Sequence, residues 1–466
     1  VSQEKRDVVI IGGGPGGYVA AIRAAQLGLQ VALVEREDLG GVCLNWGCIP
    51  TKALLRNAEV VNLLGEGRTF GFQLEGFQVD YGAAVDRSRK VSGRLVKGVD
   101  LLMRKNDVHV VEGVGRIVDP HTVHVALNAG GEATLETDAI IIATGARARS
   151  IPGVEIDGER VITYRQALEM RDLPASVIVV GAGPIGMEFA HIWRSYGAEV
   201  TIVEMMDRLV PLEDDEVSAQ VERAFKRRRV RFLTSTRVEA IEATDSDVRV
   251  RVRGEDGESE TLEADQALIA IGVRPNSEDL GLDVVGVTVE KGWIRVDERM
   301  RTDVEGVYAI GDVTGKMPLA HVASAQGIVA VEVIAGHDPD PLDYDAIPRC
   351  TYCQPQVASL GLTEAQAKDQ DHNVKVGQFP FLPNGKALAL GENQGFVKLV
   401  VDAETERLLG AHLVGPEVTE LLPELVLTRS AGLSVEAITN AIHAHPTLNE
   451  ALAEAAHAVF GEAIHI

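Results

Sequence analysis

One pattern occurs twice in this chain and limits its fold more than any other. In DVVIIGGGPGGYVAAIRAAQLGLQVALVERE, the apolar run 8–11 leads into Gly12, Gly14 and Gly17, spaced G-x-G-x-x-G. A stretch of helical composition (18–27) follows, then a second apolar run (30–34) with Glu35 at its end. The order recurs at 176–180, with Gly181, Gly183 and Gly186, the helical stretch 187–196, the run 199–203 and Glu204. Gly12 to Glu35 and Gly181 to Glu204 are both 23 residues apart. Continuous apolar runs around a glycine turn and a helix predict buried parallel strands. In such a unit the first glycine permits the tight turn, the second lets a pyrophosphate approach the backbone, and the third lets helix and strand pack closely. The helix N-terminus offers N–H donors to phosphate, and the acid at the second strand's end takes ribose hydroxyls.

A second echo supports the duplication. DAIIIATG (138–145) and DQALIAIG (265–272) are both predicted strands ending at a glycine, and TDVEGVYAIGD (302–312) is a third. The segments 52–65 and 84–105 read as helical. From about 346 the texture changes. VASLGLTEAQA, FVKLVVD and GAHLVG alternate as strands do, and PELVLTRSAGLSVEAITNAI reads as one helix. The expected fold is α/β: two Rossmann-like dinucleotide-binding domains at 1–150 and 151–275, a central segment 276–345 that rejoins the first, and an α+β domain at 346–466.

Composition narrows the function. Apolar residues make up 45% of the 466, enough for several cores, and the net charge is −24. That balance argues against nucleic-acid binding, which needs clustered Lys and Arg; the acidity serves solubility or steers a basic partner. No apolar run reaches the ~18 residues of a membrane span, and VSQEKRDVVII lacks the pattern of a secretory signal. The expectation is a cytoplasmic protein.

Only four cysteines are present, and two of them, Cys43 and Cys48, sit in GGVCLNWGCIPTK directly after the first nucleotide unit. In a reducing compartment a close pair points to redox, catalytic or metal chemistry rather than a structural staple. Residues i and i+5 of a regular helix lie about 8.6 Å apart, and a disulfide needs Cα atoms within about 7 Å. The two can bond only if a helix there is distorted, which Gly47 would permit, and such a bond would be easily reduced. Two free buried thiols are the alternative. Zinc is disfavoured because no second Cys/His pair stands at metal spacing nearby, and no metal is expected. Cys350 and Cys353 in CTYCQPQ form a C-x-x-C that reads as two structural thiols in a strand.

GGVCLNWGCIPTK resembles the redox-active disulfide of the flavoprotein pyridine nucleotide-disulfide oxidoreductases. GGGPGGYVAAIRAAQLG and the C-terminal HAHPTLNE resemble the dihydrolipoyl dehydrogenase branch of that family, along the whole chain. The resemblance implies FAD on the first nucleotide domain, with Glu35 on the adenosine ribose and Lys52 near the flavin, paired with Glu188. It also implies that Gly115, Gly145, Asp312 and Ala320 complete the FAD site. NAD would be held by Gly181, Gly183, Gly186, Glu204, Val238 and Gly272. Cys43 would be the interchange thiol, Cys48 the thiol facing the flavin, and His445, oriented by Glu450, the base that makes substrate thiolates. His443 fits a structural role. The implied reaction is oxidation of protein-bound dihydrolipoamide with reduction of NAD. The implied partners are a second copy of the chain, which supplies His445 and Glu450 in trans, and the lipoyl domains and acyltransferase core of 2-oxoacid dehydrogenase complexes.

Related readings fit less well. A glutathione reductase should carry basic residues after the second-domain strand, where this chain reads VEMMD, and a mercuric reductase should end in a vicinal cysteine pair, where it reads FGEAIHI. A non-catalytic scaffold subunit would not need Cys43, Cys48, His445 and Glu450 together. CTYCQPQ departs from the Tyr-Thr-His-Pro of many family members.

Overall fold

The computed structural model describes residues 3–466. It divides into two compact units, each assembled from separated stretches. One takes the chain up to Ala53, Val85–Arg149 and Gly272–Leu342; the other takes Leu54–Ala84, Ser150–Ile271 and Asp343–Ile466.

The first unit is built on a parallel sheet ordered His109–Asp119, Val31–Glu35, Gln3–Ile11, Glu132–Ile142, Val307–Ala309. Val8 stands opposite Val31 on one side and Ala139 on the other. Alternate residues of the central strand enter different cores, Val8 and Ile10 one, Val9 and Ile11 the other. Burial on both faces is why the strands read as unbroken apolar runs. Thr122–Leu127 pairs antiparallel with both His109–Asp119 and Glu132–Ile142. Helices Pro15–Gln26 and Ala320–Ile334 approach so closely that a Cβ on Gly327 would lie 2.7 Å from the Gly16 carbonyl oxygen.

The second unit repeats the parallel design as Arg231–Leu233, Glu199–Val203, Ser176–Val180, Gln266–Ile269, Val161–Ile162, with a three-stranded antiparallel sheet over 237–264. It also contains a five-stranded antiparallel sheet ordered Arg349–Thr351, Gln356–Gly361, Leu408–Gly415, Phe396–Asp402, Val374–Pro380. Helices Val418–Ser430 and Glu450–Val459 cover it around an apolar core that includes Leu399, Leu413, Leu425 and Leu452. The single helix expected over 423–442 is two: Val418–Ser430 ends before Gly432, whose φ of 63° turns the chain, and Glu436–Thr439 follows. Glycine takes that left-handed conformation without a Cβ penalty.

Candidate functional site: two nucleotide cradles, a dithiol and a histidine–carboxylate pair

The two glycine turns have nearly the same geometry. Gly12 and Gly181 have φ of 111° and 105°, and a Cβ on either would lie 2.3 or 2.5 Å from the carbonyl oxygen of Ala143 or Ala270. A Cβ on Gly17 would fall 1.8 Å from the Gly12 carbonyl oxygen, and one on Gly186 2.0 Å from that of Gly181. Gly14 and Gly183 begin the two helices with Pro next and no side-chain cap. The first-turn N–H groups are therefore left to an anion. Glu35 accepts from the N–H groups of Gly13 (2.6 Å) and Glu37 (2.8 Å). Glu204 accepts from those of Ala182 (2.7 Å) and Met206 (2.8 Å). Each carboxylate is thus fixed beside its turn at the tip of its strand. Both cradles fit a dinucleotide by their chemistry: the first and third glycines exclude a Cβ, backbone donors line the turn, and an oriented carboxylate stands beside it.

The remaining residues expected around the first cradle take distinct places. Gly115 is buried, and a Cβ there would meet Ile11 and Val34 at 3.3 Å. Gly145 turns with φ 67° and its carbonyl accepts from Asn276 (3.0 Å). Asp312 lies in the short 3₁₀ turn Gly311–Thr314, and burial pushes its carboxyl up to about 6. Ala320 opens helix Ala320–Ile334, whose start has no side-chain cap. In the second unit Val238 pairs with Val252 beside a bulge. Gly272, of the first unit, has φ 101° and open space where a Cβ would go. Buried Glu188 accepts from the Tyr352 N–H at 3.0 Å.

The sequence reading missed two supports. Gln326 accepts from the Gly311 N–H at 2.6 Å, fixing the turn that carries Asp312. Thr144 and Asn276 bond reciprocally, hydroxyl to carbonyl at 2.6 Å and amide to carbonyl at 2.9 Å, clamping the end of the ATG strand. Neither pair has a local spacing signature.

The cysteine segment shows how the helix problem is solved. Helix Gly41–Trp46 stops at Gly47, whose backbone is non-helical (φ −146°, ψ −118°), and Cys48–Gly65 starts anew. A Cβ on Gly47 would lie 2.9 Å from the Val42 carbonyl oxygen, so the break is tight and depends on glycine. Asn45 holds the first turn by donating to the carbonyls of Leu39 (3.1 Å) and Gly41 (3.0 Å). The segment lies against the first cradle: the Gly40 N–H donates to the Gly13 carbonyl at 2.8 Å, and a Cβ on Gly41 would come within 2.8 Å of Gly14 Cα. Cys43 is half-buried and Cys48 exposed, and neither is in a disulfide. Cys43 donates to Cys48, and this bond and burial hold its thiol far above the usual range, against the opposing charge of Lys52.

His445 and Glu450 meet as expected, Nδ1 to Oε1 at 2.8 Å. Glu450 also accepts from the Thr447 N–H at 2.9 Å. Burial opposes its ionisation, but the Thr447 N–H and the His445 ring together hold its carboxyl below the usual range. The imidazole is exposed, oriented through Nδ1 with Nε2 available. His443 is tied to Glu424 at 3.0 Å. Cys353 is buried and donates to the Pro355 carbonyl, and Cys350 lies in the strand edge Arg349–Thr351. Among the described residues no cluster of His, Cys, Asp and Glu could hold a metal, and no helix is long and apolar enough to cross a membrane.

Comparison with known proteins agrees with this geometry. Residues 6–327 match the family model described as pyridine nucleotide-disulphide oxidoreductase, and residues 347–456 match its dimerisation domain. The chain is 48% identical over 460 residues to a dihydrolipoyl dehydrogenase of Zymomonas mobilis, covering 98% of this chain and 99% of that one. It is 49% identical to a dihydrolipoyl dehydrogenase of Mycobacterium leprae and 45% identical to one of Bacillus subtilis, with 98% and 99% of the two chains covered in each case. Among solved structures, LpdA of Mycobacterium tuberculosis superposes with a TM-score of 0.91 at 28% identity, over 97% of this chain and 99% of that one. The HOCl-induced flavoprotein disulfide reductase RclA of Escherichia coli, as its Cu(II) complex, gives 0.88 at 26%, over 97% and 99%. With two glycine cradles, a dithiol at the first and a dimerisation domain at its C-terminal end, this chain belongs to the pyridine nucleotide-disulphide oxidoreductase family.

Proposed function

We propose that the chain is a dihydrolipoyl dehydrogenase, oxidising dihydrolipoyl groups carried on protein with NAD as acceptor. The observation that carries this reading is the mutually hydrogen-bonded pair Cys43–Cys48, packed on the Gly12–Gly17 turn by a helix break at Gly47. FAD would be held by Gly12, Gly14, Gly17 and Glu35, with Lys52 and its partner Glu188, Gly115, Gly145, Asp312 and Ala320 around it, and NAD by Gly181, Gly183, Gly186 and Glu204, with Val238 and Gly272. When bound, these two groups supply a two-electron relay from thiol to nicotinamide.

The chain's own residues perform the sulfur chemistry. His445, oriented by Glu450, takes a proton from a substrate thiol. The thiolate attacks Cys43 of the disulfide form, the Cys43–Cys48 bond breaks, and Cys48 leaves as a thiolate. The second substrate thiol then displaces Cys43, closing the lipoyl disulfide and leaving two electrons on the Cys43–Cys48 pair. In this reading Cys48 is the sulfur that passes the electrons on, and Cys43 is the one that meets substrate. The reading includes a homodimer in which His445 and Glu450 serve the partner's dithiol, the domain limits 1–150, 151–275, 276–345 and 346–466, a cytoplasmic setting, and docking to lipoyl domains and the acyltransferase core of 2-oxoacid dehydrogenase complexes.

The test is His445→Gln. Oxidation of dihydrolipoamide should fall roughly 10²–10⁴-fold, the usual worth of a positioned base, with flavin content and dimer mass unchanged. Heterodimers of this variant with Cys43→Ser should regain part of the activity, because one of their two sites is then intact. Full activity in His445→Gln would refute the assigned base, and inactive heterodimers would refute a shared site.

A further inference from the structure

Buried lysines are rare unless paired, and this chain has one in the middle of the apolar strand Phe396–Asp402. The Lys398 side chain is 3% exposed. Its ammonium lies 3.1 and 3.2 Å from the two Asp214 oxygens, 2.7 Å from Glu216 Oε1 and 2.8 Å from Glu364 Oε2. Three carboxylates therefore share one cation, and two of them, Asp214 and Glu216, belong to the start of helix Asp215–Arg227. Asp214 is its N-cap, accepting from the Glu216 N–H at 3.1 Å.

That helix start ends the loop that begins at Glu204. Glu204 bonds the loop's first turn through the Met206 N–H and the glycine cradle through the Ala182 N–H. The loop then returns to the cradle, where the Val210 N–H donates to the Ala182 carbonyl at 3.1 Å. To do so Val210 takes φ 44°, a left-handed conformation that a β-branched residue adopts only under constraint from its surroundings. On the far side of Val210, its carbonyl accepts from Ser218 Oγ at 3.3 Å, and Asp214 is gripped by Lys398.

We propose that Lys398 is a positioning residue for NAD: from the antiparallel sheet it clamps the Asp214 end of the 205–214 loop, and so fixes Glu204 and the Gly181–Gly186 turn for the adenosine half of the dinucleotide. This rests on the reading of Glu204 as the ribose acceptor. Without the ammonium, the carboxylates of Asp214, Glu216 and Glu364 repel one another, and the loop that carries the strained turn at Val210 loses one of its anchors. The effect falls on binding, since Lys398 is assigned no contact with the reacting atoms.

The test is calorimetric titration of the flavin-loaded homodimer with ADP-ribose, which carries the adenosine half and no nicotinamide. Lys398→Met should weaken ADP-ribose about tenfold, the scale of a long-range coupling, and raise KM for NAD by a similar factor. It should leave kcat at saturating NAD and KM for dihydrolipoamide within about twofold, and Lys398→Arg should restore most of the loss. Asp214→Asn keeps a capping side chain but loses the charge, so it should give a smaller weakening in a protein whose fold is not in question. Parental affinity for ADP-ribose in Asp214→Asn and in any folded Lys398→Met would overturn the proposal while leaving the Glu204 reading intact. Parental affinity in Glu204→Gln would overturn that reading and the proposal with it.

Discussion

The two glycine turns differ in what lies over them. At both, the chain returns after the acidic residue and donates an N–H to the carbonyl of the residue between the first two motif glycines: Gly40 to Gly13, and Val210 to Ala182. At the first turn the chain then closes down. Gly41 sits so near Gly14 that a Cβ would come within 2.8 Å of its Cα, and Gly13 has Glu35 and Leu39 within 3.0 Å of its own missing Cβ. At the second turn Gly183 has nothing within 4 Å of that position, and an alanine fits where the first unit needs Gly13. The same local fold therefore gives one cradle that is overlaid by the cysteine segment and one that is open. The difference suits a cofactor that stays and a cosubstrate that exchanges. What decides it is the six or so residues after each acid, not the glycines.

The largest test of this contrast is a methyl group at each third glycine. Both sites meet backbone oxygen at 1.8–2.0 Å, which cannot relax. At an overpacking cost of 1–3 kcal/mol, about 10–10²-fold in affinity, Gly17→Ala should yield protein poor in flavin and lower in Tm. Gly186→Ala should keep its flavin and lose NAD affinity by about the same factor. Loss of flavin from Gly186→Ala would show that the two cradles are not independent.

A smaller effect separates covered from open. Gly41→Ala forces a Cβ against Gly14 at φ 54°, whereas Gly183→Ala adds one into free space at φ −74°. Flavin release, followed by fluorescence during dilution, should speed up severalfold in Gly41→Ala and be unchanged in Gly183→Ala. Equal release rates would mean that the overlying segment does not hold the cofactor.

The smallest effect is a pH dependence expected of the first unit through Asp312. Burial raises this carboxyl to about 6 in the folded chain, above its ordinary value near 3.9. The folded state then binds the proton more tightly than the unfolded one. Stability from this group is present at low pH and is lost as pH rises through about 4 to about 6. In flavin-stripped protein, Asp312→Asn should raise Tm by a few degrees at pH 7.5 and by much less at pH 4. A larger gain at the acidic end would reverse the sign and refute burial as the cause.

Much of this was legible in sequence because it is local. A glycine spacing, an acid 23 residues on and a buried strand are written in consecutive residues, and strands Ser176–Val180 and Glu199–Val203 fall where the apolar runs place them. Gly47 carried the helix break because only a residue without Cβ fits there. The histidine–carboxylate pair was legible only through the resemblance that HAHPTLNE carries, and the fold brings its two side chains together. What escaped is non-local. Lys398 reads as one polar residue in FVKLVVD until the fold brings Asp214, 184 residues away, against it. Gln326 and Asn276 look like ordinary polar residues until the turns they fix are assembled. The helix ending before Gly432 was read through because apolar residues continue beyond it, and periodicity does not register a single φ of 63°.

The openness at Gly183 also decides what the molecule can sense. A nucleotide enclosed beneath the cysteine segment is part of the catalyst and carries no news of the medium. One that comes and goes over an open turn brings the medium's ratio of oxidised to reduced nicotinamide with it. For a two-electron couple each tenfold change in that ratio moves the driving force by about 30 mV. Through the uncovered cradle the surroundings thus set one of the two ratios, the thiol substrate's being the other, that decide the direction in which electrons run between sulfur and nicotinamide.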